Sequence, residues 1–249
     1  MILRSLRHFL TNVICGCIYD KYTRKKVRVI LNSNMSDNIR FIRNNIGGRI
    51  TKIKTFVGHQ ARNLIIGVNN QWIFKFPLRR DNSHELAIRE KRVVDVFRKV
   101  SRINIPAVEL IEHKGQIIRK YEWVHGTTLR EMPPDDLIAA RGVLAPQIAQ
   151  FLYDIACYDP DELRDLKPSP DAQPGFMYGW CQGDICDNFI FNRDTLELVA
   201  FIDWEDCNFC DFSGMVNEKR PHRRIFMQAV ADEYTKIYNK KKAKKCREN

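Results

Sequence analysis

The 249-residue sequence contains no apolar run that approaches the roughly 20 residues of a membrane-spanning helix. It also contains no internal repeat, which excludes a repeat architecture. The first 19 residues combine basic and apolar side chains, but Arg4, Arg7, His8 and Asn12 interrupt the apolar stretch and no A-x-A-like cleavage site follows. We therefore expect no secretory signal, and we expect the eight cysteines to be free thiols in the cytoplasm.

The formal net charge of +11 is distributed unevenly along the chain. Residues 1–31 and 236–249 each carry seven basic residues and one acidic residue, while residues 32–125 carry 18 basic and 8 acidic residues. Residues 126–235 carry 9 basic and 20 acidic residues. This pattern predicts a basic lobe, an acidic lobe and basic ends. It does not favour a single nucleic-acid-binding face, so nucleic acid is not an expected partner.

Hydrophobic periodicity divides the chain into four segments. Residues 1–38 are predicted to be a basic amphipathic extension followed by a polar linker over 32–38, and residues 240–249 a basic tail. Residues 39–125 are predicted to form a small antiparallel sheet with one helix over 83–100 inserted. Residues 126–239 are predicted to be mostly helical, with a turn or a new helix at Pro146 and two short strands near residues 189–202.

The basic ends allow two interpretations. In the first, they are solvated helical segments with no partner. In the second, the amphipathic N-terminal segment contacts an anionic membrane from its cytoplasmic side, with the C-terminal lysines as a weak supplement. RNA binding through the same ends is a further alternative.

The segment Trp180–Asp211 carries the most chemical information. Asp184 lies in a predicted loop before a strand, Asn188 opens that strand, and Asp203 closes the paired strand. A tight hairpin would bring these three side chains to one end of a two-stranded ribbon. Phosphoryl transfer uses such a set, because one carboxylate orients the acceptor hydroxyl while an amide and a second carboxylate hold Mg²⁺ on the phosphates.

This segment resembles the catalytic and metal-binding loops of the aminoglycoside phosphotransferase/choline kinase family. Gln182-Gly183-Asp184 occupies the place of the family's His-Gly-Asp, and Ile202-Asp203-Trp204-Glu205-Asp206 matches the second loop at all five positions. The resemblance implies an α+β, two-lobed, protein-kinase-like fold with a small antiparallel-sheet N-lobe containing one helix and a mostly helical C-lobe. It also implies that Asp184 is the catalytic base and that Asn188 and Asp203 are the Mg²⁺ ligands.

Upstream residues fit the same resemblance in the same order. It assigns ATP binding to a phosphate-covering turn, a strand lysine, the ion-pair partner of that lysine and a hinge segment, which here are Gly58, Asn63, Lys75, Glu90, Glu122 and Val124. Glu85 is the competing partner for the lysine, but its offset of five residues from Glu90 places it on another face of the helix.

Two departures from the family pattern affect the predicted activity. Gln182 replaces the usual histidine, and the spacing from Asp184 to Asn188 is one residue shorter than usual. Asp187 is therefore a candidate for a metal ligand or for the base, and Glu205 and Asp206 are candidates for supporting roles. A nucleotide-binding pseudokinase without turnover is the resulting alternative.

Four cysteines in this region raise a rival interpretation. Cys181 with Cys186, and Cys207 with Cys210, form two pairs at a spacing known from zinc sites. Small buried thiols explain the same residues without metal.

The sequence thus predicts an ATP- and Mg²⁺-dependent phosphotransferase that acts on a hydroxyl of a small molecule or a glycan sugar. Several acidic residues of the second half would attract a cationic acceptor; they are Glu131, Asp135, Asp136, Asp154, Asp159, Asp161 and Glu162.

Overall fold

The computed structural model describes residues 10–57, 62–78, 83–167, 177–182 and 184–248. The chain forms two compact units. The first comprises Met1–Ala87 and Glu109–Trp123, and the second comprises Ile88–Val108 and Val124–Asn249. No helix in the described part of the chain is both long enough and apolar enough to cross a membrane.

A five-stranded antiparallel sheet forms the centre of the first unit, in the spatial order β1-β2-β3-β5-β4. Its strands are β1 (Ile53–Val57), β2 (Asn63–Val68), β3 (Trp72–Pro77), β4 (Glu109–His113) and β5 (Gln116–Glu122). Asn69 and Asn70 both have positive φ in the turn between β2 and β3, a conformation that asparagine tolerates and that tight hairpins require. The strands predicted from hydrophobic alternation are therefore confirmed, with shifts of up to three residues at their ends.

Two helices cover one face of this sheet. They are α1 (Lys21–Asn32) and α2 (Met35–Asn45), and residues 10–16 form a further helical turn before them. Phe41 and Ile42 of α2 are buried among the apolar side chains of the sheet, with the Phe41 ring 6.3 Å from that of Phe74 and 5.9 Å from that of Phe76. Val29 and Ile30 of α1 pack against the same core.

This packing corrects two sequence predictions. The linker predicted over 32–38 is wrong from Met35 onward, where α2 begins, because burial of Phe41 and Ile42 outweighs the polar composition of the first turn. The prediction of one helix for this part of the chain is also incomplete, since α1 and α2 precede α3 (Ser83–Phe97) in the sequence. The N-terminal region is thus a structural part of the first unit.

The second unit is mostly helical, as predicted. Its long helices are α4 (Pro134–Ala156) and α6 (Pro221–Glu248), which pack against each other. The predicted break at Pro146 is wrong, because α4 continues through it. Proline removes only its own N–H from the helix ladder, and the buried neighbours Ala145, Ile148 and Ala149 hold the surrounding turns.

Short strands complete the second unit in two small sheets. In one, β7 (Tyr178–Gln182) pairs antiparallel with β10 (Cys207–Asp211). In the other, β8 (Phe189–Phe191) lies between β6 (Thr127–Thr128) and β9 (Leu198–Phe201). The β8–β9 hairpin was predicted from the sequence, whereas the β7–β10 pair was not, because it joins segments about 25 residues apart. A 3₁₀ helix at Asp161–Leu166 lies between α4 and β7 in the sequence.

Aromatic side chains form the core beneath these strands. Trp204 is 2 % exposed, and its ring lies 5.5 Å from Phe97, 5.2 Å from Phe201 and 6.3 Å from Phe151. Its indole N–H donates to the carbonyl of Phe201 at 3.1 Å, so the one polar atom of the side chain is satisfied in the core. Trp180 is also fully buried, 5.9 Å from Phe97.

Candidate active site

Asp184 lies two residues after the end of strand β7. It precedes the four-residue helix α5 (Ile185–Asn188), whose first turn is closed by a hydrogen bond from Asp187 N–H to the Asp184 carbonyl at 3.1 Å. The residue is exposed, so its carboxylate is accessible from solvent. Asn188 ends α5 and is buried.

The β8–β9 hairpin positions Asn188 and Asp203 next to each other along the sheet. The N–H of Ile202 donates to the carbonyl of Asn188 at 3.0 Å, which ties the residue before β8 to the residue before Asp203. Asp203 has φ 64° and ψ 60°, the left-handed region that costs a non-glycine residue energy unless its surroundings enforce it. Such outliers cluster at functional sites, and aspartate and asparagine tolerate this region better than most residues.

Gln182 connects the two loops. Its side-chain amide nitrogen donates to the carbonyl of Asp203 at 3.0 Å, and its amide oxygen accepts from the N–H of Asp184 at 2.8 Å. The side chain is 2 % exposed. A glutamine amide supplies one donor group and one acceptor at the same end of the side chain, so it can bridge both backbones. Gln182 stands where the family that this segment resembles has histidine. Its side chain makes one hydrogen bond to the backbone of each loop.

We expect Gln182→Leu to destabilise the second unit by about 1–3 kcal/mol, because it leaves the Asp184 N–H and the Asp203 carbonyl without this partner. Denaturant unfolding followed by circular dichroism would measure the change. Gln228→Leu is the matched control, since Gln228 is exposed on α6 and donates to the Asp232 carboxylate one turn later at 2.9 Å. Equal effects of the two substitutions would contradict a bridging role for Gln182.

Two of the predicted nucleotide-binding side chains, Lys75 and Asn63, belong to the sheet of the first unit. Lys75 alternates with the core residues Phe74 and Phe76 and therefore points to the other face. It is 7 % exposed, and its Nζ lies 5.1 Å from the ring centroid of Tyr121. Asn63 is also buried and accepts from Arg119 Nη2 at 2.9 Å. The sequence did not reveal Arg119 as the partner of Asn63, because a single arginine in a strand carries no pattern that sets it apart.

The remaining nucleotide-binding candidates are distributed between the units. Glu122 is exposed at the end of β5 in the first unit. In the second unit, Glu90 is fully buried within α3 and Val124 is half-buried. Glu85 on the same helix is exposed. Gly58 and the turn around it lie outside the described residues.

Comparisons with known proteins identify the fold. No protein-family model matches the sequence, and no curated protein matches it. Solved structures do match, including the GDP complex of wild-type aminoglycoside 2'-phosphotransferase-IIIa, with 18% identity, a TM-score of 0.62 and coverage of 83% of this chain and 86% of that one. The chain has the aminoglycoside phosphotransferase fold.

Two further structures support this assignment. Aminoglycoside phosphotransferase APH(2'')-Ib with ADP bound matches at 15% identity and TM-score 0.56, covering 83% of this chain and 85% of that one. Macrolide 2'-phosphotransferase MphH from Brachybacterium faecium matches at 12% identity and TM-score 0.53, covering 79% and 83% respectively. The predicted α+β, protein-kinase-like fold class is confirmed.

Within this aminoglycoside phosphotransferase fold, Asp187 is held by two arginines. Arg223 Nη1 lies 2.7 Å from one carboxylate oxygen of Asp187, and Arg130 Nη1 lies 3.7 Å from the other. Arg223 is itself buried. Asp187 therefore anchors the short helix after Asp184 to α6. In the sequence Arg223 is one of several neighbouring basic residues, and nothing there indicates that it pairs with Asp187.

The second loop has its own anchor in this fold. Arg89 of α3 donates through Nη2 to the carbonyl of Cys207 at 2.6 Å and also to the Asn208 side chain. Glu205 is buried within the Trp204–Asp206 turn, whereas Asp206 is exposed and its carbonyl accepts from Asn208 Nδ2 at 2.8 Å. These contacts fix the backbone that follows Asp203.

The four cysteines around the two loops are individually buried or half-buried. Burial raises the pKa of Cys186 to about 12 and raises those of Cys181 and Cys207 above the ordinary value, so these groups are thiols at neutral pH. Among the described residues, no group of three or more His, Cys, Asp and Glu side chains is placed to hold a metal ion.

Proposed function

We propose that the chain is an ATP- and Mg²⁺-dependent phosphotransferase that moves the γ-phosphoryl group to a hydroxyl of a small molecule. The observation that supports this most directly is the pair of hydrogen bonds from Gln182, which joins the backbone of Asp184 to that of Asp203 in a chain with this fold. In this proposal Gln182 connects the loop of the proposed base to the loop of a proposed metal ligand, a role that supports the activity although histidine is absent at this position.

The donor set suits magnesium. Asn188 offers an amide oxygen and Asp203 a carboxylate, and hard oxygen donors of this kind are the ones that Mg²⁺ prefers. When bound, the ion supplies positive charge against the β- and γ-phosphates. The left-handed backbone of Asp203 and the hydrogen bond between Asn188 and Ile202 hold the two donors at the end of one hairpin.

Asp184 is the proposed base. Its exposed carboxylate would accept a hydrogen bond from the acceptor hydroxyl and take its proton as the new oxygen–phosphorus bond forms and the bond to the β-phosphate oxygen breaks. Lys75, on the sheet face opposite the core, would contact the α- and β-phosphates, and Glu90 would be its ion-pair partner. Asn63, Glu122, Val124 and Gly58 remain proposed nucleotide contacts.

The acceptor is proposed as a hydroxyl-bearing small molecule, because the solved neighbours include complexes with kanamycin and with gentamicin. The acidic residues expected to attract a cationic acceptor are mostly engaged elsewhere. Asp154 pairs with Arg102, Asp159 with Lys167, Asp161 with Arg164, and Glu162 with Lys99. We therefore extend the proposal to acceptors without positive charge, such as glycan sugars.

Incubation of the full chain with ATP, Mg²⁺ and metabolite or glycan extracts tests this function. We expect a product that is heavier than one extract component by a single phosphoryl group, together with one ADP per product. GTP in place of ATP would define the nucleotide preference. A rise in melting temperature with ATP and Mg²⁺, but neither product nor ADP, would instead establish the nucleotide-binding pseudokinase.

A further inference from the structure

The segment before α1 exposes apolar side chains on one side. Within the helical turn over residues 10–16, Leu10, Val13 and Ile14 are 45–49% exposed, and Tyr19 just beyond it is 99% exposed. The spacing i, i+3, i+4 places the first three on one helix face. These four account for four of the ten large apolar residues that are exposed in the described chain, within only ten positions. Exposed apolar residues concentrated in this way indicate an interaction surface.

The other side of the helical turn over residues 10–16 packs against the protein and holds the exposed side chains in place. Thr11 and Cys15 of the same turn are buried, and the Cys15 thiol lies 3.8 Å from the carbonyl of Arg24 in α1. Arg24 donates through Nε to the carbonyl of Ile18 at 2.8 Å, which fixes the connection between the two helices. The exposed side chains therefore belong to an ordered helical hairpin.

Basic side chains follow immediately on α1. Lys21, Lys25 and Arg28 are exposed and lie at spacing i, i+4, i+7, so they form one stripe along the helix. None of the three forms an ion pair within the described part of the chain. The apolar residues Val29 and Ile30 pack against the core of the first unit, so α1 is attached to the body of the protein.

We propose that this surface, formed by Leu10, Val13, Ile14, Tyr19, Lys21, Lys25 and Arg28, docks onto an anionic phospholipid membrane. Apolar side chains enter the interface between headgroups and acyl chains while lysine and arginine pair with lipid phosphates. An RNA would engage the cations but leave the apolar side chains in water. A second copy of the chain would bring like charges together. An anionic lipid surface complements both features.

This proposal concerns membrane binding and not phosphoryl transfer. Its test measures vesicle binding and does not require the protein to be active as an enzyme. The full chain is mixed with vesicles of phosphatidylcholine containing roughly one-third phosphatidylglycerol, and with vesicles of phosphatidylcholine alone. We expect cosedimentation with the anionic vesicles only, and weaker binding as salt is added.

Val13→Glu with Ile14→Glu should weaken binding at least about tenfold, because it places two charges in the apolar layer. Lys21→Gln with Lys25→Gln and Arg28→Gln should weaken it by roughly fivefold per removed cation.

Matched control variants show whether a loss of vesicle binding is specific to this surface or follows from any change in charge or hydrophobicity. Val143→Glu replaces a half-exposed apolar residue on α4, and Lys219→Gln with Arg220→Gln and Arg224→Gln removes the same charge from exposed positions before and within α6. Both controls should bind as the wild type does, and all variants should keep the wild-type melting temperature. Three results would overturn the proposal: equal binding to neutral and anionic vesicles or none, equal loss in test and control variants, and binding to single-stranded RNA or dimerisation in place of vesicle binding.

Discussion

Asp184→Asn should lower the turnover number for phosphoryl transfer by about 10²–10⁴-fold. Asparagine has the size and shape of aspartate but cannot take a proton from the acceptor hydroxyl. Gln182 binds the backbone N–H of Asp184 rather than its carboxylate, so this hydrogen bond is kept in the variant. Nucleotide binding should consequently persist, visible as an unchanged rise in melting temperature with ATP and Mg²⁺.

Asp194→Asn is the control for this substitution. Asp194 is exposed in the turn between β8 and β9, where its N–H donates to the Asn192 side chain at 2.9 Å. Its carboxylate has no role in the proposed chemistry, so activity should stay at the wild-type level. If Asp184→Asn retained full activity, Asp184 would not be the base. A parallel loss in both variants would indicate a general electrostatic effect.

Trp204→Ala should have the largest effect on stability, a loss of about 3–5 kcal/mol in the free energy of unfolding. The indole fills the space among Phe97, Phe151 and Phe201, and its N–H satisfies a buried carbonyl. Alanine leaves a cavity that rigid aromatic neighbours cannot close. Since whole domains are stable by only about 5–15 kcal/mol, a large share of the stability would be lost.

Differential scanning calorimetry measures this loss through the melting temperature, which falls by roughly 2–4 °C per kcal/mol in domains of this size. Trp204→Phe should recover part of the stability, because it restores most of the ring contacts. Ile225→Ala removes an exposed apolar side chain from α6 and should change the unfolding free energy by less than about 0.5 kcal/mol. A Trp204→Ala protein as stable as the Ile225→Ala protein would show that the aromatic core does not depend on this ring.

The elements that could be predicted from the sequence are those specified by local patterns. The alternation in β2, β5 and β8 defined strands correctly because each has one strongly apolar face or lies within a short apolar run bounded by turn residues. The β8–β9 hairpin placed Asn188 beside Asp203 for the same reason, since the turn is local. The fold class followed from the five-residue match at Ile202–Asp206.

The features that the sequence could not reveal depend on distant partners. The helix α2 begins in a polar stretch, and its packing on the sheet, including Phe74 of β3, stabilises it. The bridge made by Gln182 requires knowing that the Asp203 carbonyl lies within reach of a side chain 21 residues earlier. The contact between Arg223 and Asp187 spans 36 residues. Such contacts leave no periodic signal along the chain.

The two basic ends carry the same charge, yet they differ in what their removal would do. Over residues 234–243 of α6, where exposure is described, Tyr234 is the last buried side chain and most later ones are exposed. Shortening the chain to residue 235 therefore removes no side chain described as buried. Removing residues 1–31 would instead strip Val29 and Ile30 from the core around Phe41 and expose an apolar sheet face that promotes aggregation. A crystallographer seeking a shorter variant can trim the C-terminus, while the N-terminus is better studied by point substitution.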